Sequence, residues 1–428
     1  MKILQLTTKP PMPPVDGGTR AMLSATTALL DSGCEVKVLS MSSGKHGVDW
    51  QQMPTHYRDA TRFEAVPVDL RATPAGALSA LLTRRSYNIE RFRSKTFRQR
   101  MEEVLRSETF DVVQLESLYL MPYVATVRQW SKAAVVLRAH NVEWQIWEQM
   151  HRTAPHSPKR WYLGTLARSL QQYEQEHIND CDGVVFISPD DQTAYLRAGL
   201  RKPHTVIPYG IEMPQMETDA TNNVFDKQEQ CELAPIVAAR KRGCEGTSHP
   251  VKLFHIGAMD WQPNIEAIRW LLDKVWPEVH RRMPDIELHL AGRRMPEWLR
   301  QQAPQGVVVE GEVADASRFV AAGDICVVPL LSGSGMRVKI VEAMAHGKPV
   351  VATSRAAQGM ECKNGEHILI ADNEQEFARQ TMLCATDAEL RQRIGSNARH
   401  LIEQKYSNKA LSHLWTEFYQ STIDTLNL

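Results

Sequence analysis

Short apolar runs alternate with helical patterns along most of the 428-residue chain. In the first half, the apolar runs lie at 3–6, 36–39, 112–115, 135–137, 184–187 and 205–207. Parallel strands need a long crossover connection, which is usually an α-helix, so strands that alternate with helices typically form a parallel sheet. This alternation predicts an α/β fold with a parallel, doubly wound sheet.

A second alternation of the same kind begins near residue 251. Its apolar runs lie at 253–256, 286–290, 307–309, 325–329 and 350–353. Residues 214–250 have no hydrophobic periodicity, which is typical of a linker or an insertion. We therefore predict two Rossmann-like domains, 1–213 and 251–404, joined by 214–250. A helical segment at 405–428 is predicted to pack back on the first domain.

The composition excludes several classes of protein. Hydrophobic residues make up 43% and charged residues 23% of the chain, as in ordinary globular proteins. Fifty basic residues balance fifty acidic ones, so no net field attracts nucleic acid. Seven scattered cysteines without CxxC spacing favour a reduced compartment. The first apolar run is too short for a signal peptide, and no stretch approaches ~18 apolar residues, so we expect a cytoplasmic protein.

Two glycine-containing loops follow predicted strands and open predicted helices. The first contains Gly17 and Gly18, and the second precedes the helix that holds Lys339. Bare amides at a helix N-terminus attract phosphate, and Arg337 and Lys339 add positive charge there. Glu342 lies about 10 Å along the same helix, where a carboxylate can accept from a ribose hydroxyl. The alternatives are a simple tight turn at the first loop and a surface pair of Lys339 and Glu342.

The order of short motifs along the chain resembles that of the glycosyltransferase family 4 group of GT-B enzymes. Besides the first glycine loop, the motifs are Ala139-His140-Asn141-Val142-Glu143, Ile187-Ser188, Pro208-Tyr209-Gly210-Ile211, Ile256-Gly257, Leu290-Ala291-Gly292, Val328-Pro329-Leu330, Glu342-Ala343-Met344-Ala345 and Gly347-Lys348-Pro349-Val350. The resemblance implies two Rossmann-like domains that face a central cleft. It also implies a nucleotide sugar held mainly by the C-terminal domain, and sugar transfer with retention of anomeric configuration.

The resemblance implies site residues as well. Glu342 matches the second glutamate of the family's E-x7-E signature, which binds the nucleotide ribose, whereas Ser334 replaces the first glutamate. The residues expected to contact the nucleotide sugar are Gly17, Gly18, Gly257, Ser334, Gly335, Met336 and Glu342, and those expected to take part in transfer are His140, Arg337 and Lys339.

Two cations of the family are missing from their usual place. The family's arginine and lysine after the first strand of the C-terminal domain fall near Ala258 and Asn264, and neither residue is cationic. The resemblance implies that Arg337 and Lys339 substitute for them.

His140 and Glu116 each follow a predicted strand at its carboxyl end, where doubly wound sheets bind ligands. A histidine there can bind a sugar hydroxyl or a phosphate, and the resemblance places His140 near the donor sugar. Without the resemblance, a histidine satisfied by the local backbone is the simpler interpretation, and Glu116 has the same two interpretations.

Asp180-Cys181-Asp182 matches the DxD pattern of metal-dependent glycosyltransferases of another fold. The pattern follows a predicted helix and precedes a predicted strand, with no glycine loop beside it, so we predict a polar turn. No essential metal and no cofactor beyond the donor substrate are expected, because Arg337, Lys339 and helix amides can offset the charge of a departing diphosphate.

The segment from Arg84 to Arg100 contains seven basic residues and one acid, Glu90. Such a run is commonly a solvated helix face. Interleaved aromatic residues also allow contact with an anionic membrane or an anionic acceptor.

These features together predict a cytoplasmic glycosyltransferase that moves a sugar from a nucleoside diphosphate to a hydroxyl of a glycan, glycolipid or protein. The basic segment also allows peripheral contact with the inner face of a membrane, and no nucleic acid partner is expected. The alternatives are a nucleotide-sugar 2-epimerase of the same fold and a nucleotide-sugar-binding subunit without catalysis.

Overall fold

The computed structural model describes residues 1–83, 85–214, 250–333 and 335–426, which form two parallel β-sheets flanked by helices. The strands of the first sheet are β1 (Lys2–Thr7), β2 (Glu35–Ser42), β3 (Glu64–Pro67), β4 (Val112–Leu115), β5 (Ala134–Ala139), β6 (Gly183–Phe186) and β7 (His204–Val206). Their order is β3-β2-β1-β4-β5-β6-β7, and each neighbouring pair is parallel. The chain thus winds outward from β1 in both directions.

The second sheet repeats this arrangement. Its strands are β8 (Lys252–Ile256), β9 (Glu287–Ala291), β10 (Val307–Gly311), β11 (Ile325–Val328), β12 (Val350–Ala352) and β13 (Leu369–Ile370). Their order is β10-β9-β8-β11-β12-β13, again with parallel neighbours. In a doubly wound sheet, ligands bind beyond the carboxyl ends of the strands, where the strand order reverses.

Helices connect the strands of both sheets. Around the first sheet they are α1 (Gly17–Asp31), α2 (Thr55–Ala60), α3 (Pro74–Thr83), α4 (Tyr87–Glu90), α5 (Lys95–Ser107), α6 (Val124–Trp130), α7 (Glu143–Thr153), α8 (Pro158–His177) and α9 (Pro189–Arg197), with 3-10 turns at Leu118–Tyr123 and Ile178–Asp180. From the second sheet onward they are α10 (Gln262–Trp270), α11 (Trp276–Arg282), α12 (Glu297–Gln301), α13 (Ala316–Ala322), α14 (Val338–Ala345), α15 (Ser354–Ala357), α16 (Glu374–Thr386), α17 (Ala388–Lys405) and α18 (Asn408–Leu426), with a π-helical turn at Leu271–Val275.

The central strands are apolar because helices cover both faces of each sheet. In β1, Ile3 and Leu4 point to opposite faces, and both side chains are fully buried. The predicted α/β class with two doubly wound sheets is confirmed. The edge strands β3 and β13 were not predicted. In β3 only Val66 is buried, and β13 is only two residues long although it lies in the short apolar run 368–371.

The C-terminal helix α18 packs against α1, as predicted. Leu411, Trp415 and Tyr419 recur every fourth residue, lie on one face of α18 and are almost completely buried. They belong to the same core cluster as Ala25 and Leu29 of α1. The last element of the chain thereby completes the core of the first sheet.

The division of the chain into 1–213 and 251–404 stays a prediction. Residues 215–249, nearly all of the predicted linker or insertion, lie outside the described residues.

Candidate active site

The loop before α14 carries the first of the two cations expected at the site. Gly333 and Gly335 have φ angles of +98° and +82°, which side chains other than glycine rarely adopt, so the loop can turn tightly into α14. Arg337 precedes the first residue of the helix, is 6% exposed, and lies with its guanidinium 5.6 Å from the ring centre of Trp261. Burial and the nearby Arg355 lower the pKa of Arg337 to about 10, so it remains charged at neutral pH. Ser334 lies outside the described residues.

Lys339 is held by two side chains of the second sheet. Its Nζ lies 2.9 Å from Asn264 Oδ1 and 3.0 Å from His255 Nε2. The other ring nitrogen of His255 lies 2.8 Å from the Val327 carbonyl, so Nδ1 carries the proton and Nε2 accepts from the lysine. Burial lowers the pKa of Lys339 to about 7; nearby Cys326 opposes this shift, and Arg337 adds to it. The neutral amine form, present near pH 7, is therefore poised to gain a proton when an anion arrives.

Because Gly257 has no side chain, the end of the Lys339 side chain can lie directly against its backbone. A Cβ at residue 257 would lie 2.6 Å from Lys339 Nζ and 2.8 Å from Asn264 Nδ2, closer than real contacts allow. The structure thus places Gly257 directly beneath the lysine. Asn264, at a position where the family has a cation and this chain does not, accepts a hydrogen bond from Lys339, as His255 does. The sequence analysis missed His255, although a histidine inside an otherwise apolar strand was a usable signal.

His140 lies at the end of β5 and is held by Glu116 from the end of β4. His140 Nε2 lies 2.7 Å from Glu116 Oε2. Burial lowers the pKa of His140, and the hydrogen bond with Glu116 only partly opposes this shift, so the ring is neutral near pH 7. Because a carboxylate only accepts, Nε2–H donates to Glu116 and Nδ1 is left as an acceptor. The ring can therefore receive a hydrogen bond from a hydroxyl group.

Glu116 is fully buried behind His140 and is surrounded by donors. Gln5 Nε2 lies 2.6 Å from Glu116 Oε1, Gln114 donates to the same oxygen, and Arg138 Nη1 lies 3.6 Å from Oε2. Burial alone would raise the pKa of Glu116, but Arg138 and His140 hold it below its ordinary value. Glu116 is therefore an anion that orients His140 from behind.

Each glycine loop lies close to residues of the other half of the molecule. A Cβ on Gly335 would lie 3.6 Å from Asn141 Oδ1, so this loop reaches the residue next to His140. A Cβ on Gly17 would lie 3.9 Å from Val338 Cγ2 at the start of α14. The structure therefore brings the N-terminus of α14 together with Gly17, Gly335 and the His140 loop.

The remaining predicted contacts lie close by. Gly18 lies beside Lys9, whose Nζ is 2.5 Å from the Asp16 side chain at the start of α1. Met336 is partly buried and packs on the core of the second half. Lys9 is a cation at the end of β1 that the sequence analysis did not single out.

Glu342 forms an ion pair with Arg20 of α1, across the junction between the two halves. Both residues line a cleft of about 660 Å³, whose walls come from α1, the chain after β7 and the start of α13. The Glu342 side chain is 15% exposed and so remains reachable from this cleft. The sequence analysis did not identify Arg20, which follows the first glycine loop.

The DxD-like residues support the fold. Asp182 accepts from Val135 N at 2.7 Å and pairs with Arg128 at 2.6 Å, whereas Asp180 lies 2.7 Å from His177. Within the described residues, no group of three or more histidine, cysteine, aspartate or glutamate side chains could hold a metal ion.

Much of the positive charge between residues 84 and 100 is taken up by contacts within the protein. Arg91 donates to the Leu70 carbonyl, and Arg93 pairs with Glu90. Arg100 lies 2.7 Å from Glu64 and 2.6 Å from Glu103. Arg84 lies outside the described residues. The structure does not show a continuous cationic face along this segment.

Family models match both halves of the chain. Residues 16–210 match the model described as "Glycosyl transferase 4-like domain", and residues 250–387 match "Glycosyl transferases group 1". The chain is a group 1 glycosyltransferase. It is 21% identical over 330 residues to an uncharacterized 44.6 kDa protein in the cps region of Klebsiella pneumoniae, covering 75% of this chain and 77% of that one. It is 33% identical over 132 residues to a phosphatidyl-myo-inositol mannosyltransferase of Mycobacterium leprae (strain TN), covering 29% and 34% of the two chains.

Solved structures share the GT-B fold of this glycosyltransferase. Sucrose-phosphate synthase from Thermosynechococcus elongatus aligns with a TM-score of 0.69 at 15% identity, over 99% of this chain and 100% of that one. Anabaena Alr3699/HepE in complex with UDP-glucose aligns with a TM-score of 0.63 at 17% identity, over 98% and 100%. At this identity the likeness establishes the fold. Within the ranges that the structure describes, no helix of this glycosyltransferase is long and apolar enough to cross a bilayer.

Proposed function

We propose that this glycosyltransferase moves a hexosyl group from a nucleoside diphosphate sugar to a hydroxyl acceptor, with retention of anomeric configuration and without an essential metal ion. The observation that carries the proposal is the pair of cations at the N-terminus of α14. Arg337 and Lys339 lie there beside Gly333 and Gly257, where a Cβ would lie 3.2 Å from Arg337 Nη2 and 2.6 Å from Lys339 Nζ. Arg337, together with Lys339 in its ammonium form, would stabilise the charge that grows on a departing diphosphate.

The other residues have roles that follow from their partners. His140, with Nδ1 as acceptor, would receive a hydroxyl of the donor sugar, and Glu116 would act as its positioning residue. Glu342, reachable from the adjoining cleft, would bind the ribose hydroxyls. The UDP-glucose complex of the Anabaena protein supports a uridine nucleotide as the first donor to test. The mannosyltransferase relative supports a hydroxyl on a lipid or glycan as acceptor, and thus glycan or glycolipid synthesis.

The deciding experiment measures diphosphate release by the purified chain from a panel of nucleoside diphosphate sugars in EDTA, with and without lipid and glycan acceptors. Arg337→Ala should lower kcat about 10²- to 10³-fold with a smaller change in KM. Arg337→Lys should recover little, because the guanidinium fork is lost. Arg281→Ala, at an exposed pair with Glu278, is the matched control and should leave kcat unchanged. The anomeric proton of the product, observed by NMR, reports retention.

Three results would contradict the proposal. Donor conversion that needs no acceptor would favour the 2-epimerase. Donor binding without any turnover would favour a catalytically inactive subunit. A double variant of Arg337 and Lys339 that turns over within a few-fold of wild type would mean that the diphosphate is bound elsewhere.

A further inference from the structure

Helix α3 presents an unusual apolar surface. Its sequence contains no charged residue, yet Leu78 is 58% exposed and Leu82 is 78% exposed. These leucines are four residues apart and therefore project from the same face of the helix. Isolated exposed leucines are ordinary, but two on one face of an uncharged helix form an apolar ridge.

The first turn of α8 extends this ridge. Trp161 is 61% exposed, and it lines a cavity of about 370 Å³ between α3 and α8 together with Arg85 and Arg168. Below the cavity, Ala80 of α3, Tyr87 and Leu166 of α8 form a small core cluster that fixes the two helices to each other. The exposed side chains are thus presented by a packed scaffold.

The charge around this surface is predominantly positive. Residues 69–90 and 148–173 together contain seven arginine or lysine residues and three acids, Asp69, Glu90 and Glu148. Arg71 pairs with Asp69 and Arg152 with Glu148, which leaves an excess of basic residues around the ridge. Arg85, Lys159 and Arg168 are exposed. Arg85 lies 3.8 Å from Glu90, a weak pairing for a side chain that is 65% exposed. An apolar ridge with a basic surround is complementary to an anionic, apolar partner.

We propose that this α3–α8 surface docks on an anionic lipid bilayer. Leu78, Leu82 and Trp161 would enter the boundary between headgroups and acyl chains, where tryptophan is favoured. Arg85, Arg168 and their basic neighbours would lie at the level of the anionic headgroups. The lipid surface fits better than a folded partner protein, because the leucines project outward instead of lining a groove.

This surface is linked to the proposed active site by the α7–α8 hairpin. The Glu174 carboxylate of α8 accepts from the backbone amides of Glu143 and Trp144, which begin α7 just after His140. At 1.5 Å per residue, Trp161 lies about 20 Å along α8 from Glu174. Docking would therefore hold the His140 side of the cleft near the membrane, where a lipid-linked acceptor would be found; this last step rests on the proposed function.

The test is flotation of the full chain with vesicles of phosphatidylcholine alone or of phosphatidylcholine mixed with phosphatidylglycerol. The wild type should float only with the mixed vesicles, and salt should reduce its recovery. Arg168→Gln should lower the partition coefficient about five-fold, which is the effect of one basic residue near such a surface. Leu82→Glu should abolish flotation. Leu383→Glu, at an exposed leucine of α16, and Arg318→Gln, at an arginine 82% exposed, are the matched controls and should float like the wild type.

Two outcomes would overturn docking: equal recovery with neutral and mixed vesicles, or wild-type flotation of Leu82→Glu. A change in the oligomeric state of Leu82→Glu would assign the ridge to a second copy of the chain. Flotation measures no turnover, so docking can fail while glycosyl transfer stands. Leu82→Glu should also keep wild-type donor turnover in the absence of vesicles.

Discussion

At the scale of single residues, Lys339 couples nucleotide binding to proton uptake. Its pKa of about 7 leaves most of the lysine neutral at pH 8, whereas a bound diphosphate requires the ammonium form. Binding of UDP at pH 8 should therefore take up close to one proton. Above pH 7 the affinity should fall up to about ten-fold per pH unit. Calorimetry in buffers of different ionisation enthalpy measures the uptake.

The matching variant is Lys339→Met. It should bind UDP with a much weaker pH dependence, and it should unfold at a higher temperature than the wild type at pH 7. The sign follows from linkage: between pH 7 and about 10.5 the unfolded chain holds a proton that the folded lysine lacks, so wild-type stability rises with pH in that window. The variant lacks this rise. Identical stability profiles of the two proteins from pH 7 to 9 would show that Lys339 keeps an ordinary pKa.

Glu116 also acts at this scale, through the orientation of His140. Glu116→Gln keeps the size of the side chain but removes the acceptor charge that fixes the proton on His140 Nε2. We expect kcat to fall about ten- to a hundred-fold with little change in KM, as for other partners that orient a functional group. The pH profile of kcat should also shift, because the imidazole pKa is changed. Glu176→Gln, at an exposed position of α8, is the control. If Glu116→Gln is less stable than the wild type but keeps the wild-type kcat and pH profile, Glu116 is a purely structural residue.

At the scale of elements, α18 is expected to stabilise the first sheet and the buried network. Trp415 is 1% exposed, and Arg138 lies with its guanidinium 5.1 Å from the ring centre of Trp415. Trp415→Ala should lower the free energy of unfolding by about 3 to 5 kcal/mol, because it opens a large cavity and leaves a buried arginine without its ring contact. Urea denaturation measures the loss. Trp50→Ala, at a tryptophan 56% exposed, should cost far less. Equal losses in the two variants would contradict a core role for α18.

The elements were predictable where the sequence carried a local pattern. The central strands are continuous apolar runs, and Leu411, Leu414, Phe418 and Tyr419 have helical spacing, so both sheets and the C-terminal helix were predicted from local patterns. Trp415, which is 1% exposed, was not singled out. The edge strand β3 has a single buried residue, Val66, and gave no such signal. Contacts between distant residues were also beyond the sequence. Lys339 meets His255 across 84 residues of chain, and no spacing rule connects them.

At the scale of the whole molecule, the Arg20–Glu342 ion pair joins the two halves at the cleft. If Glu342 binds the ribose, the nucleotide must first displace Arg20. Arg20→Ala should then tighten UDP binding by about two- to five-fold, since a partly exposed ion pair is worth at most about 1 kcal/mol. Glu342→Ala should instead weaken binding by about 1.5 to 3 kcal/mol, the value of a hydrogen bond to a charged group. Calorimetry with UDP measures both, and Arg318→Ala on the exposed face of α13 is the control. If Arg20→Ala weakens binding as much as Glu342→Ala does, Arg20 itself contacts the nucleotide, and the ion pair is part of the site instead of a contact that donor binding must open.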